Sequence, residues 1–199
     1  ALRLMPVGET ISILYSFPIL VMILSIPLMK EKLSLFNWGC ALFGFAGVLI
    51  IVRPGGGLDT LGVTFALLTA LLTAIFHLMT RVLSQTETSH ALLFHSILVS
   101  TLCSCLLALS TWEGYLPSLM DSGLIALLGI ILTSAHFLLT VAYRYAPASL
   151  IAPANWVHIV WAALLGWLVF DHLPDQWTIL GMLVIVAAGV GIAIKTHRD

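Results

Sequence analysis

Seven stretches of almost unbroken apolar sequence, at residues 11–29, 33–52, 61–79, 91–112, 124–142, 151–170 and 179–194, follow one another from end to end of this chain. Each approaches the roughly 20 residues that carry a helix across a bilayer. A soluble fold of 199 residues has one or two cores and cannot bury seven such segments. Hydrophobic residues make up 60% of the chain and charged residues 9%, against roughly 45–50% and 25% in soluble domains. Lipid must therefore solvate most of the surface. A spanning barrel would show shorter, alternating strands, so the expected fold is all-α: a polytopic membrane bundle of seven transmembrane helices.

The distribution of Lys and Arg predicts orientation. With the tail Lys195-Thr196-His197-Arg198 in the cytoplasm, that side also receives Lys30, Lys32, Arg81 and Arg144, and only Arg3 and Arg53 fall outside, six against two. The outer loops then carry Glu113, Asp121, Asp171 and Asp175. Seven spans place the N-terminus outside. The first residue is Ala, and the first apolar stretch lacks the flanks of a cleavable signal peptide. A longer protein is the expectation. Cys40, Cys103 and Cys105 all fall inside spans and read as small packing residues, with no disulfide framework and no CxxC metal site.

An internal repeat carries more information. Ala1-Leu2-Arg3-Leu4-Met5-Pro6 returns as Ala142-Tyr143-Arg144-Tyr145-Ala146-Pro147, each time directly before a span. A helix with a proline or polar break follows, then an acidic turn, Glu31-Lys32-Leu33 in one copy and Asp171-His172-Leu173 in the other. A last helix carries Gly39 and Gly47-Val48 first, Gly181 and Gly189-Val190 second. Three ordered matches at nearly constant spacing indicate duplication. Five spans separate equivalent points, and an odd number inverts the second copy. Inverted repeats are a device of secondary transporters, whose halves rock about a central site.

Leu14-Tyr15-Ser16-Phe17-Pro18, Lys30-Glu31-Lys32-Leu33, Trp38-Gly39 and Gly44-Phe45-Ala46-Gly47-Val48 running to Arg53-Pro54-Gly55 resemble the end of a first EamA repeat. Tyr145-Ala146-Pro147-Ala148-Ser149 to Pro153, with Trp161-Ala162-Ala163-Leu164-Leu165-Gly166-Trp167 and Phe170-Asp171-His172-Leu173-Pro174-Asp175, is similar to the same region of a second. The resemblance is to the drug/metabolite transporter superfamily, EamA type. It implies ten helices in two inverted five-helix repeats with both termini cytoplasmic, in a bacterial inner membrane. On that reading residues 1–54 are the last two helices of a first repeat, 55–60 a linker, and 61–199 a complete second repeat with a cytoplasmic tail. Three spans would be missing, and with them part of the cavity wall.

Polar residues inside spans are costly in lipid and usually face the bundle interior. Thr133, His136, Thr140 and Arg144 share one helical face of the fifth span. Glu9, Ser12 and Ser16 do so in the first, with Tyr15 adjacent. Asn155 and His158 follow Pro153 in the sixth, Thr73 and His77 pair in the third, and Ser96, Ser100 and Ser104 line the fourth beside His95. These faces read as a polar translocation cavity. The alternative is that Ser and Thr bond back to their own helix and His to a neighbouring carbonyl. Trp156, beside the proline break, is a candidate for stacking on a solute, whereas Trp112 and Trp177 fit interfacial belts. Arg3 and Arg144 at helix ends fit headgroup anchors. The candidate substrate-binding residues are Asn155, Trp156, His158, His136, Thr140, Tyr15, His77 and Glu9.

Gly62, Ala66, Ala70 and Ala74 permit close helix approach, inside the bundle or in a homodimer. Gly55-Gly56-Gly57 lacks the Lys-Ser/Thr of a phosphate loop, which argues against nucleotide binding. An intramembrane enzyme using His136, His158 or Glu9 is one alternative, but neither GxSxG nor HExxH occurs, so no catalytic residue, cofactor or metal is expected. A receptor or retinal protein is a further alternative, but the last span has no internal Lys for a Schiff base. The expected function is secondary transport of a small organic metabolite or drug by alternating access. The expected partners are that solute and the lipid bilayer, with no nucleic acid.

Overall fold

The computed structural model describes residue 4 and residues 7–31, 33–53, 59–111, 117–170 and 175–196. The first Ala-x-Arg copy, apart from Leu4, lies outside the described residues, as do Lys32, the Gly55-Gly56-Gly57 hinge, Trp112, Glu113, the turn Asp171-His172-Leu173 and the end of the tail. The described residues form helices and no strand: α1 (Val7–Leu14), α2 (Phe17–Met29), α3 (Leu35–Val52), α4 (Thr60–Leu83), α5 (Ser89–Thr111), α6 (Leu119–Tyr145), α7 (Ala148–Ala154), α8 (Val157–Phe170) and α9 (Gln176–Thr196).

Among the described residues six helical rods are long and apolar enough to cross a membrane: Thr10–Met29, Leu35–Val52, Thr60–Leu83, Ser89–Leu109, Leu119–Tyr145 and Ala148–Leu165. The seventh expected span lies in α9, whose apolar part Gln176–Ile192 is shorter. The fifth rod begins earlier than residue 124 because Ser118 and Asp121 build a capping box at its start, each satisfying a backbone N–H of the other.

Two rods are not single helices. α1 and α2 are separated by a turn at Tyr15–Ser16, and α7 and α8 by a turn at Asn155–Trp156. Pro18 in the first turn of α2 has no N–H to give to the preceding turn, and Pro153 plays the same part near the end of α7. The two breaks lie 140 residues apart (15 to 155), the spacing expected for the sequence repeat.

The chain divides into two compact units, Ala1–Leu78 with Pro147–Asp199, and Met79–Ala146. In the first, α3 and α9 pack along one another with their backbones in contact at Gly47 and Gly181. A Cβ on Gly47 would stand 2.9 Å from the Gly181 carbonyl oxygen, and one on Gly181 would stand 2.7 Å from that of Gly47. α2 packs on α7, α1 on α3 and α8 on α9. Met22, Ala41, Val48, Trp156, Ile159 and Ile185 form the core among them. In the second unit α5 packs on α6, and the rings of His90 and Phe137 lie 4.9 Å apart. Arg81 donates to the carbonyls of Tyr143 at 2.6 Å and Arg144 at 3.2 Å, closing the C-terminal end of α6.

Candidate functional site

Each helix break strands backbone carbonyls, and the first unit satisfies them in a way that joins the two rods. At the first break Ile19 N–H turns back to Ser16 O, so Tyr15 O loses its partner within the helix. The indole N–H of Trp156, from the second break, donates to that carbonyl at 3.1 Å. At the second break Asn155 N–H bonds Ala152 O, and the Asn155 side-chain amide donates to Ala152 O at 3.3 Å and Ile151 O at 3.5 Å. The acceptors beside Asn155 are thus those of Ile151 and Ala152.

The side chains converge as well. The Tyr15 hydroxyl hydrogen-bonds His158 Nε2, with ring centroids 5.0 Å apart. The other nitrogen of that imidazole, Nδ1, meets the carbonyl of Asn155. His77, on α4, is 7% exposed and stacks on Phe17, the first residue of α2, at 5.1 Å. Phe76 meets the same imidazole edge-on at 5.9 Å. Tyr15, His77, Asn155, Trp156 and His158 are therefore gathered about the two breaks.

Trp156 is 1% exposed. A Cβ on Gly44 would lie 2.8 Å from its ring, so only glycine leaves space there, and Phe45 flanks it with centroids 6.3 Å apart. Its two polar and apolar faces are thus committed to Tyr15 and to α3. The remaining candidates lie elsewhere. Glu9 falls in α1, but its side chain lies outside the described residues. His136 and Thr140 belong to α6 in the second unit, where Thr140 Oγ1 donates to His136 O at 2.8 Å and His136 is exposed. Thr73 bonds back to Thr69 O in the same manner, at 2.8 Å.

Two groups were not singled out from sequence as part of any site. Phe17 stacks on His77, and its place directly before Pro18 at a helix break was the available signal. Glu31, read only as part of an acidic turn, accepts hydrogen bonds from the N–H groups of Ala148 at 3.0 Å and Ser149 at 3.3 Å and from the Ser149 hydroxyl. At the opposite end of the same unit Arg53 pairs with Asp175 and sits over the Trp177 ring at 5.9 Å. Asp175 also caps α9 by accepting from Thr178 N at 2.9 Å and Thr178 Oγ1 at 2.6 Å. The Thr178 hydroxyl, then Arg53 and the Thr178 N–H, hold its carboxyl down to about 2. Among the described residues no cluster of three His, Cys, Asp or Glu is arranged to hold a metal ion.

Comparison with known proteins fits this architecture. The chain is 25% identical over 197 residues to the S-adenosylmethionine uptake transporter of Rickettsia bellii, covering 99% of this chain and 67% of that protein. It is 28% identical over 182 residues to the riboflavin transporter of Vibrio cholerae, covering 91% of this chain and 60% of its relative. The chain thus spans about two thirds of the length of these relatives. One crystal structure superposes with a TM-score of 0.86 at 19% identity, over 96% of this chain and 70% of the other, and supports the fold. The pattern of the EamA-like transporter family matches residues 1–53 and 60–194, and the chain belongs to that family.

Proposed function

We propose that this chain is part of a secondary transporter that moves a small organic metabolite across a bacterial inner membrane by alternating access, with the solute held where the two broken rods meet. The observation that carries the reading is the cross-connection of the breaks: Trp156 of one rod satisfies the Tyr15 carbonyl of the other, and the Tyr15 hydroxyl reaches His158. Discontinuous helices at corresponding places in inverted repeats bring backbone dipoles and side-chain polar groups near the bilayer midplane, which is where secondary transporters bind their solutes. The Tyr15 hydroxyl, the His158 imidazole and the Asn155 amide offer both donors and acceptors, and the aromatic planes of Tyr15, Phe17 and His77 suit a flat solute. The relatives named for S-adenosylmethionine and riboflavin transport make a polar, ring-bearing metabolite the first class to test. Trp156 serves in this reading as the strut that positions Tyr15. His136 and Thr140 of α6, in the second unit, and Glu9 of α1 stand as candidates on their helical faces alone.

The test is transport in proteoliposomes containing the complete protein, with a solute panel that includes S-adenosylmethionine and riboflavin. Asn155→Ala, His158→Ala and His136→Ala are expected to lower the rate at least about tenfold at normal protein levels, the loss that follows from removing one to two hydrogen bonds to a bound solute. Normal kinetics in all three would remove these faces from the site.

A further inference from the structure

Alternating access, on which this inference rests, requires one end of the bundle to part while another contact stays whole, and the two seams of the first unit are built differently. The α3–α9 seam is apolar and closely packed, with Gly47 and Gly181 backbone against backbone. Parting it would open a void in a close-packed interior. The α2–α7 seam is closed by polar groups at its end. Pro147, at the N-cap of α7, has no side-chain cap to offer, so the first N–H groups of α7 lack a partner from their own chain segment. Lys30 ends α2 in a left-handed conformation, φ 55°, which turns the chain so that the next carboxylate, Glu31, reaches across. That carboxylate accepts from Ala148 N–H, Ser149 N–H and the Ser149 hydroxyl.

We propose that Glu31 is the latch of the transport cycle: its carboxylate, clasping the start of α7 from the α2–α3 turn, holds the Lys30 end of the unit shut, and its release lets α2 and α7 part about the Gly47–Gly181 contact. The reasons are physical. The clasp joins the first repeat to the second away from the Gly47–Gly181 contact, so rocking of the repeats about that contact parts it. It sits at helix ends, where water replaces both the donors and the acceptor once the seam opens, so breaking it is reversible in a way that opening the glycine contact is not. Behind it lie Val21, Met22 and Ser25 of α2 and Ala148 and Ala152 of α7, all fully buried. On the far side of the breaks α1 and α8 pack instead on α3 and α9. The structure is therefore the state in which the Lys30 end is closed.

Cysteine accessibility reads this without any solute. Ala152→Cys, one turn in from Ala148, is placed in the complete protein freed of Cys40, Cys103, Cys105 and any other cysteine. It is then exposed in lipid nanodiscs to a membrane-impermeant methanethiosulfonate. Slow labelling is expected with Glu31 intact, and labelling about tenfold faster with Glu31→Gln, which keeps size and loses the charge-assisted acceptor. Ser149→Ala, which removes only the hydroxyl donor, should lie between them and serves if Glu31→Gln fails to reach the membrane. Labelling by both variants at the parent rate would overturn the latch, as would a parent rate equal to that of an exposed cysteine at position 87. The transport reading fails separately, through the Asn155, His158 and His136 variants.

Discussion

Single residues in this chain are informative where they break a local rule. Tyr15 and Asn155 sit at turns inside rods that their apolar surroundings favour as continuous helix, and each turn exposes carbonyls that a partner must satisfy in lipid. That partnership was only half visible beforehand: Pro18 and Pro153 mark the breaks, but that Trp156 donates to Tyr15 follows from two residues far apart in sequence being brought together. Asp175 permits a prediction of its own. Its carboxyl is held near 2 from an ordinary 3.8 by Thr178 and Arg53, so the depressed folded value means a stabilising contribution present above about 3.8 and lost as pH falls toward 2. Thermal unfolding of the detergent-solubilised protein should show a gap between the parent and Asp175→Asn that is constant at neutral pH and closes below that window. A gap that widens on acidification would contradict the assignment.

At the scale of elements, the glycines of the repeat separate into two roles that sequence alone presents as one. Gly39 and Gly47 correspond to Gly181 and Gly189, yet only Gly47 and Gly181 meet, while a Cβ on Gly39 or Gly189 would touch nothing within 4 Å. Gly47→Ala or Gly181→Ala should therefore cost about 1–3 kcal/mol through overpacking of the α3–α9 seam. Gly39→Ala and Gly189→Ala should be neutral or stabilising by about 0.5–1 kcal/mol, the ordinary helix preference for Ala. Unfolding midpoints of the four variants in mixed micelles check this, and equal losses at all four would refute the seam. The length of the apolar stretches located the rods, because burial in lipid needs only length and hydropathy. It did not locate the ends, since caps such as Ser118–Asp121 start helices before the apolar stretch begins.

For the whole molecule, we propose from the Lys and Arg asymmetry that the turn at Lys30, the loop containing Glu87 and the C-terminus face the cytoplasm. A cysteine introduced for Glu87 on a Cys-free background should resist impermeant reagents in intact cells and label after permeabilisation; labelling in intact cells would reverse the topology. The amino-acid sequence by itself determined the solvent, the helical class and the family resemblance, because these depend on composition and on spacing along one chain. Tertiary structure alone decided that the two breaks meet, that Gly47 finds Gly181 and not another glycine, and that Glu31 closes the start of α7. Those are contacts between segments more than a hundred residues apart, chosen by which helices pack together, and no local pattern of residues records that choice.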